Sequence, residues 1–202
     1  YKKRRKRLFK LMKDNSIALI ESAPEKIRNN DSTYRYRQCS NFYYLTGYDK
    51  PSALLLVLKQ NKKLITHFFT KKPNKHDEVW TGQLPTSTTT KNLYGFDKCS
   101  YLNDIEKYLM LYLANTKTIY HAWDDDTVNK SIFDSCLHKL GEKYRSGTEI
   151  PSEFFSLKKI VHKLRLVKDK SEIDLIRAAG KISSLAHIEM IKKCKPGLTE
   201  RE

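Results

Sequence analysis

Arg37-Gln-Cys-Ser-Asn-Phe-Tyr-Tyr-Leu-Thr-Gly-Tyr-Asp-Lys-Pro-Ser-Ala-Leu-Leu-Leu-Val-Leu58 is the stretch that decides the fold. Its second half, Ala53–Leu58, is an unbroken aliphatic run, the pattern of a strand covered on both faces rather than one with a wet side. Its first half carries Phe42-Tyr-Tyr-Leu45, β-prone by composition and read as a strand that stops at Gly47. Working forward, Asn61-Lys-Lys63 is a turn into Leu64-Ile-Thr-His-Phe-Phe-Thr70, and the two runs make a hairpin. Working back, Ser16-Ile-Ala-Leu-Ile20 is a short buried strand ended by Ala23-Pro24, and the polar residues 25–41 read as a loop.

Helical spacing takes over further along. Leu102, Ile105, Leu109 and Leu113 recur on one face, and so do Val128, Ile132, Phe133, Cys136, Leu137 and Leu140, with a stop expected at Gly141. Thr118–His121 is a strand between them. Pro151-Ser-Glu is read as the start of a third helix with Phe154, Leu157, Ile160, Val161 and Leu164 on one side. Residues 71–92, which hold Trp80, read as one long loop. Strands alternating with helices give an α/β domain over residues 1–164. After the polar joint Arg165–Lys170, a long helix is expected, capped by Ser171 with Asp174 three residues on, and ended by Pro196-Gly197. This segment, 165–202, has almost nothing after it to pack against. It reads as the first element of a second domain, and both ends of the sequence read as cut from a longer chain.

The chain has 202 residues and a net charge of +16, with seven basic residues and no acid among the first ten. A basic excess of this kind points either to nucleic acid or to a lysine-rich composition. The lysines are scattered singly, so nucleic acid is not the expected partner. Residues 2–13 are read as a basic helix with Leu8, Phe9, Leu11 and Met12 on its apolar side, and its run Lys2–Arg7 as solvated, with contact to RNA or anionic lipid as the alternative. No run approaches the ~20 apolar residues of a membrane span, and no membrane is expected. Four cysteines without a Cys-x-x-Cys pair argue against a zinc site or disulfide framework and for a cytoplasmic setting. With seven glycines in all, there is no phosphate-cradling loop.

Tyr34-Arg-Tyr-Arg-Gln-Cys-Ser-Asn-Phe-Tyr-Tyr-Leu-Thr-Gly-Tyr48, Glu78-Val-Trp-Thr-Gly82, Val161-His-Lys-Leu-Arg-Leu-Val-Lys168, Arg177-Ala-Ala-Gly-Lys-Ile182 and Cys194-Lys-Pro-Gly197 resemble, in order, the motifs of bacterial aminopeptidase P, the Xaa-Pro aminopeptidase family. The resemblance implies a mixed β-sheet flanked by helices over 1–164, like the N-terminal domains of creatinase and prolidase. It implies a linker and the first helix of a pita-bread catalytic domain over 165–202. It also implies an enzyme that releases an N-terminal residue linked to proline, using two divalent ions, usually manganese, held by two Asp, one His and two Glu. The sequence ends before any of those ligands, so no metal site is expected in this segment, which is expected to be inactive alone. The implied partners are peptides with proline at the second position and further copies of the chain, in a dimer or tetramer.

Two residues carry over as substrate-binding candidates. Trp80 matches the loop tryptophan that, in tetrameric members, reaches a neighbouring subunit's active site. It reads either as a flat apolar wall there or as a staple for its own loop. Arg145 aligns with an arginine facing the substrate cleft and reads as a carboxylate or carbonyl anchor or as a solvated surface residue. Three features draw attention without the resemblance. Asp124-Asp-Asp126 is read as helix capping rather than a metal cluster. His67 and His162 are read as packing or hydrogen-bonding groups. His121, with carboxylates nearby in sequence, is open to a His–Asp pair. The alternative functions are a non-enzymatic interaction module from a truncated relative, and a basic nucleic-acid-binding protein.

Overall fold

The computed structural model describes residues 1–122, 130–143, 145, 147–199 and 201. Two compact units result, Tyr1–Leu164 and Arg165–Glu202. The first is a six-stranded mixed sheet flanked by helices. Its strands are β1 (Ser16–Glu21), β4 (Ala53–Gln60), β5 (Lys63–Thr70), β6 (Lys98–Tyr101), β7 (Thr118–His121) and β8 (Glu153–Ser156), in spatial order β6-β5-β4-β1-β7-β8. A small separate ribbon pairs β2 (Ile27–Asn29) with β3 (Ser32–Thr33). Only β4 runs against its neighbours, so every other strand of the large sheet ends on one edge, the carboxyl edge.

The aliphatic run of β4 splits by parity, as strand geometry requires. Leu54, Leu56 and Leu58 join Ile17 and Leu19 of β1, Phe69 and Ile119 in one core. That core is closed by α5 (Ile105–Leu113) and α6 (Lys130–Glu142). Ala53, Leu55 and Val57 join Ala18, Ile20, Phe68 and Tyr120 in the other. It is closed by α1 (Lys2–Leu11), α2 (Ser40–Thr46) and α7 (Leu157–Leu166).

Helix α1 is held by a cation rather than solvated by one. Arg5 is only 1% exposed. It donates to Leu45 O at the end of α2 (2.9 Å) and to Tyr94 O and Gly95 O (2.8 and 2.7 Å) at the end of α4 (Ser87–Tyr94), with its guanidinium over the Phe96 ring. Two helix C-termini thus share one positive charge, which offsets their dipoles and orphan carbonyls. Burial brings the Arg5 pKa down to about 10, still charged at neutral pH.

Several sequence expectations change. Phe42–Leu45 is helix, not strand, because a helical turn lets Phe42, Tyr44 and Leu45 all face the core while Tyr43 faces out. Gly47 ends that helix at φ 75°, its N–H on Tyr43 O, and a Cβ there would stand 2.4 Å from the Tyr1 ring. The loop expected over 25–41 contains the β2–β3 ribbon. The loop expected over 71–92 contains α3 (Lys75–Thr81), capped by the Asn74 side chain, and most of α4, capped by Thr86. Helix α6 runs through Gly141 to Glu142. Pro151 leads not into a helix but into β8, where Glu153 pairs beside Thr118, accepts from Thr118 Oγ1 and Lys13 Nζ at 2.8 Å each, and sits 3.3 Å from Lys117 Nζ. Those partners pull its pKa to about 2.

In the second unit, α8 (Lys170–Lys193) is capped by Asp169 with Glu172, not by Ser171 with Asp174. Asp169 Oδ1 accepts from Glu172 N, and the Glu172 carboxylate accepts from Asp169 N. Ser171 instead donates its hydroxyl to Asp169.

His67 is a core residue, as its position in a strand implied. It sits between Tyr112 OH (3.0 Å) and Ser100 Oγ (2.9 Å) and stacks on Phe69. Burial, and then the Lys98 charge, lowers its pKa to about 4.

Two predictions follow from these buried groups. Arg5→Met lowers the unfolding free energy by about 3 kcal/mol, since three carbonyls lose their donor. Arg5→Lys recovers less than half, because an ammonium lacks the fork that spans two helix ends. Urea titration checks both, and an Arg5→Met protein as stable as the parent refutes the role. For His67, the unfolded state takes up a proton near pH 6.5 and the folded state only near pH 4. The stability from keeping this ring neutral is complete above the unfolded value and is lost as pH falls through that window, by up to about 3 kcal/mol. Unfolding midpoints at pH 7 and pH 4.5 should differ less in His67→Gln than in the parent.

Candidate functional site

The sheet places a crevice at the carboxyl edge between β1 and β7. These strands are parallel neighbours, but the chain leaves them in opposite directions. From β1 it passes through α2 to β4; from β7 it passes through α6 to β8, on the other side. Where neighbouring parallel strands part in this way, the connections separate and leave an opening above the strand ends. Here the opening is a cavity of about 570 Å3.

Its floor is the last residue of each strand. Glu21 Oε1 and His121 Nε2 stand 3.5 Å apart, with side chains only 8% and 6% exposed. His121 thus meets a carboxylate, Glu21 from a distant strand; the aspartates near it in sequence, Asp124–Asp126, lie outside the described residues. The ion pair exists when the imidazole carries its proton.

One wall is the segment Tyr36–Asn41, and hydrogen bonds fix it. Gln38 Oε1 accepts from Ala23 N (2.8 Å) and Cys39 N (2.9 Å), while its Nε2 donates to Tyr48 O (3.2 Å) and Lys50 O (2.9 Å). The Tyr36 hydroxyl donates to Ala23 O at 3.1 Å, and burial pushes its pKa up to about 12. Ala23 is therefore held at both its N–H and its C=O. Arg37 lies between the two anchors, and its side chain makes no ion pair among the described residues. Among the described residues Lys26 and Lys158 are the further charged groups of the lining, with Leu19, Ile20 and Leu157 as apolar surface.

The residues singled out in the sequence lie elsewhere. Trp80 is on α3, which begins five residues after β5 reaches the carboxyl edge; its side chain lies outside the described part of the structure. Arg145 is exposed and does not line the cavity. It precedes β8 on the opposite edge, where Glu149 is tied to Asn115 by two hydrogen bonds, its N–H donating to Asn115 Oδ1 and its carbonyl accepting from Asn115 N. The two residues are not brought together. Asp124–Asp126 lies outside the described residues. His162 Nε2 is 3.5 Å from Asn41 Nδ2. All four cysteines are free thiols. Among the described residues no three of His, Cys, Asp and Glu are grouped to hold a metal ion. Among the described residues the donors do not make up the two-metal ligand set that the resemblance implies, and no catalytic step is assigned to them. No helix among the described residues is long and apolar enough to cross a membrane.

Known proteins match this architecture along its whole length. The model of the aminopeptidase P N-terminal domain matches residues 1–120. The Xaa-Pro aminopeptidase of Escherichia coli K12 is 32% identical, over 99% of this chain and 46% of its own length. That of Haemophilus influenzae is 30% identical, over 100% and 44%. Among solved structures, proline aminopeptidase P II from Yersinia pestis superposes with a TM-score of 0.94 at 33% identity, covering 100% of this chain and 46% of that one. Zinc-substituted E. coli aminopeptidase P in complex with product does so at 0.94 and 32%, covering 99% and 46%. The chain spans a little under half the length of these relatives. From the family match and the shared strand arrangement, the chain belongs to the family of aminopeptidase P N-terminal domains.

Proposed function

We propose that this chain is the amino-terminal part of a Xaa-Pro aminopeptidase, a metallopeptidase that releases an N-terminal residue linked to proline. The observation that carries this reading is the end-to-end match to Xaa-Pro aminopeptidases at 30–32% identity. Manganese is the proposed metal, two ions held by residues outside this chain, and the cytoplasm the proposed location, in keeping with four free thiols.

Within that enzyme the domain's role is assembly and control of access. Residues 165–202 serve as linker and first helix of the catalytic domain. In support, α8 buries none of its residues within the chain, although Leu175, Ile182, Leu185 and Ile191 are more than half exposed. An apolar helix of this length needs a partner surface.

Trp80 and Arg145 are the proposed contacts to peptide. Their positions at opposite edges of one sheet favour different duties. Arg145 serves a substrate carbonyl or carboxylate at the chain's own cleft, and Trp80 offers its indole to the cleft of another subunit in a dimer or tetramer. A charged donor on a carbonyl or carboxylate is worth about 1.5–3 kcal/mol.

The full-length protein is the material for the test, assayed on an Xaa-Pro dipeptide with and without added manganese. Turnover is expected only with the metal, and residues 1–202 alone should give none. Trp80→Ala should lower kcat/KM about tenfold, and Arg145→Ala should raise KM by about tenfold or more with kcat little changed. Full turnover in a metal-stripped, chelated enzyme sinks the metallopeptidase reading. Unchanged kinetics in either variant removes that residue from the site.

A further inference from the structure

The lysines of the chain as a whole are scattered, but the cations of α1 are not. Lys3, Lys6, Arg7 and Lys10 fall at i, i+3, i+4 and i+7, which puts them on one face of the helix. Arg5 and Leu8, on the opposite face, are buried in the domain. All four cations of the outer face are exposed, and none makes a hydrogen bond or ion pair among the described residues. At 1.5 Å of rise per residue, the row is about 10 Å long.

Nothing in the packing of the domain calls for this row. The structural duty of the basic run rests with Arg5, which faces inward to three carbonyls. Like charges three and four residues apart repel along a helix, as Lys3–Lys6, Lys3–Arg7, Lys6–Lys10 and Arg7–Lys10 do here. No acid in the first turn offsets them. Neutral polar side chains would solvate this face as well. A local rule broken without a compensating contact marks a functional surface, and an unpaired row of cations fits a partner that supplies spaced anions.

The surroundings select among polyanions. A bilayer takes up a helix whose free face carries apolar side chains. Of the apolar residues of α1, Leu8 is buried, Phe9 is half-buried beneath Lys59 Nζ at 4.9 Å, and only Leu11 is exposed. A duplex groove admits a helix that is free on its flanks, whereas α1 is built into the domain by Arg5 and Leu8. At the amino end of the helix stand two exposed rings. Tyr43 of α2 is 44% exposed and lies edge-on to Tyr1, with ring centroids 5.9 Å apart. A row of cations beside an exposed aromatic ring suits the backbone and unpaired bases of a single strand.

We propose that the outer face of α1 binds single-stranded nucleic acid without regard to sequence, its phosphates on Lys3, Lys6, Arg7 and Lys10 and a base against Tyr43. This interaction goes beyond the peptidase reading and does not rest on it.

The test is fluorescence anisotropy with the full-length protein and a labelled uridine oligonucleotide of about twelve residues. Saturable binding is expected, with log K falling against log salt at a slope of about −3, as four phosphate contacts on a single strand require. Lys6→Gln/Arg7→Gln should bring the slope to about −1.5 and weaken binding about tenfold at low salt. Tyr43→Leu should weaken binding about fivefold or more and leave the slope unchanged. Lys107→Gln/Lys139→Gln removes the same charge from α5 and α6, on the other face of the sheet, and should change neither quantity. The proposal is overturned by the absence of saturable binding, by an unchanged slope in the Lys6/Arg7 variant, by full affinity in the Tyr43 variant, or by an equal loss in the Lys107/Lys139 variant. Binding to phosphatidylserine vesicles or polyglutamate as tight as to the oligonucleotide overturns it too. Because removing two like charges relieves repulsion, the Lys6/Arg7 variant should unfold in urea no earlier than the parent. An earlier midpoint makes these cations structural and likewise overturns the proposal.

Discussion

Neither β1 nor the body of β4 has a face left for water, and much of the domain is a consequence of that constraint. Each buried aliphatic side chain contributes about 1.5–3 kcal/mol only if something covers it. A strand with Leu54, Leu56 and Leu58 on one side and Ala53, Leu55 and Val57 on the other therefore demands helices on both. A chain that has to supply both layers must leave neighbouring strands in opposite directions at some point. In this sheet that point is β1 and β7, so the crevice is a geometric result of two-sided burial. What the sequence adds is the choice of side chains around it.

Covering the sheet brings its own difficulty, because short helices end against other protein and their last carbonyls lose water. The structure answers with Arg5. One side chain from α1 reaches the ends of both α2 and α4, so three helices are joined at a single guanidinium. A methyl-bearing residue at Gly47 would collide with Tyr1, so the same corner also fixes the start of the chain. This alters the meaning of the basic N-terminus. A run of six cations looks like an electrostatic patch when charges are merely counted, yet its most buried member is a structural donor facing carbonyl oxygens. Net charge speaks of solubility and association; it does not say which cations are available to a partner.

The parts of the fold that could be read from the sequence are those whose signal is local and long enough. The β4–β5 hairpin is marked by two strong runs and a turn at Asn61 and Lys62, both at positive φ. The amphipathic spacing of α5 and α6 needs no tertiary context. Phe42–Leu45 failed because four residues are too few for a period to show, and aromatic composition then speaks for a strand. The helix is fixed by things outside those four residues: Gly47, Tyr1 and the Arg5 donor. Residues 153–156 failed for a related reason. Their strand character comes from pairing with β7 and from Glu153 meeting Lys13 and Lys117, none of which is adjacent in sequence. In the crevice, His121 could be noticed, since it closes a short apolar strand. Glu21 could not be matched to it, because the pair forms only when β1 and β7 lie side by side. The anchors Tyr36 and Gln38 belong to a sequence motif whose physical reason is tertiary, their bonds to Ala23.

The same topology bears on how Trp80 and Arg145 could act together. The helix with Trp80 follows a strand that ends at the carboxyl edge, whereas the turn with Arg145 precedes a strand that starts at the opposite edge, and three strands lie between β5 and β8. Neighbouring strands are spaced about 4.8 Å apart, so the lateral offset alone is about 19 Å before the length of the strands is added. That separation between the strands that lead to them supports the proposal that the two residues serve different clefts. If they do serve different clefts, as proposed, a complete cleft needs a second copy of the chain. A closed symmetric assembly supplies that arrangement with one interface repeated. Under that proposal assembly and substrate access are one property of the domain, because the surface that pairs the subunits would also deliver the residue each cleft lacks.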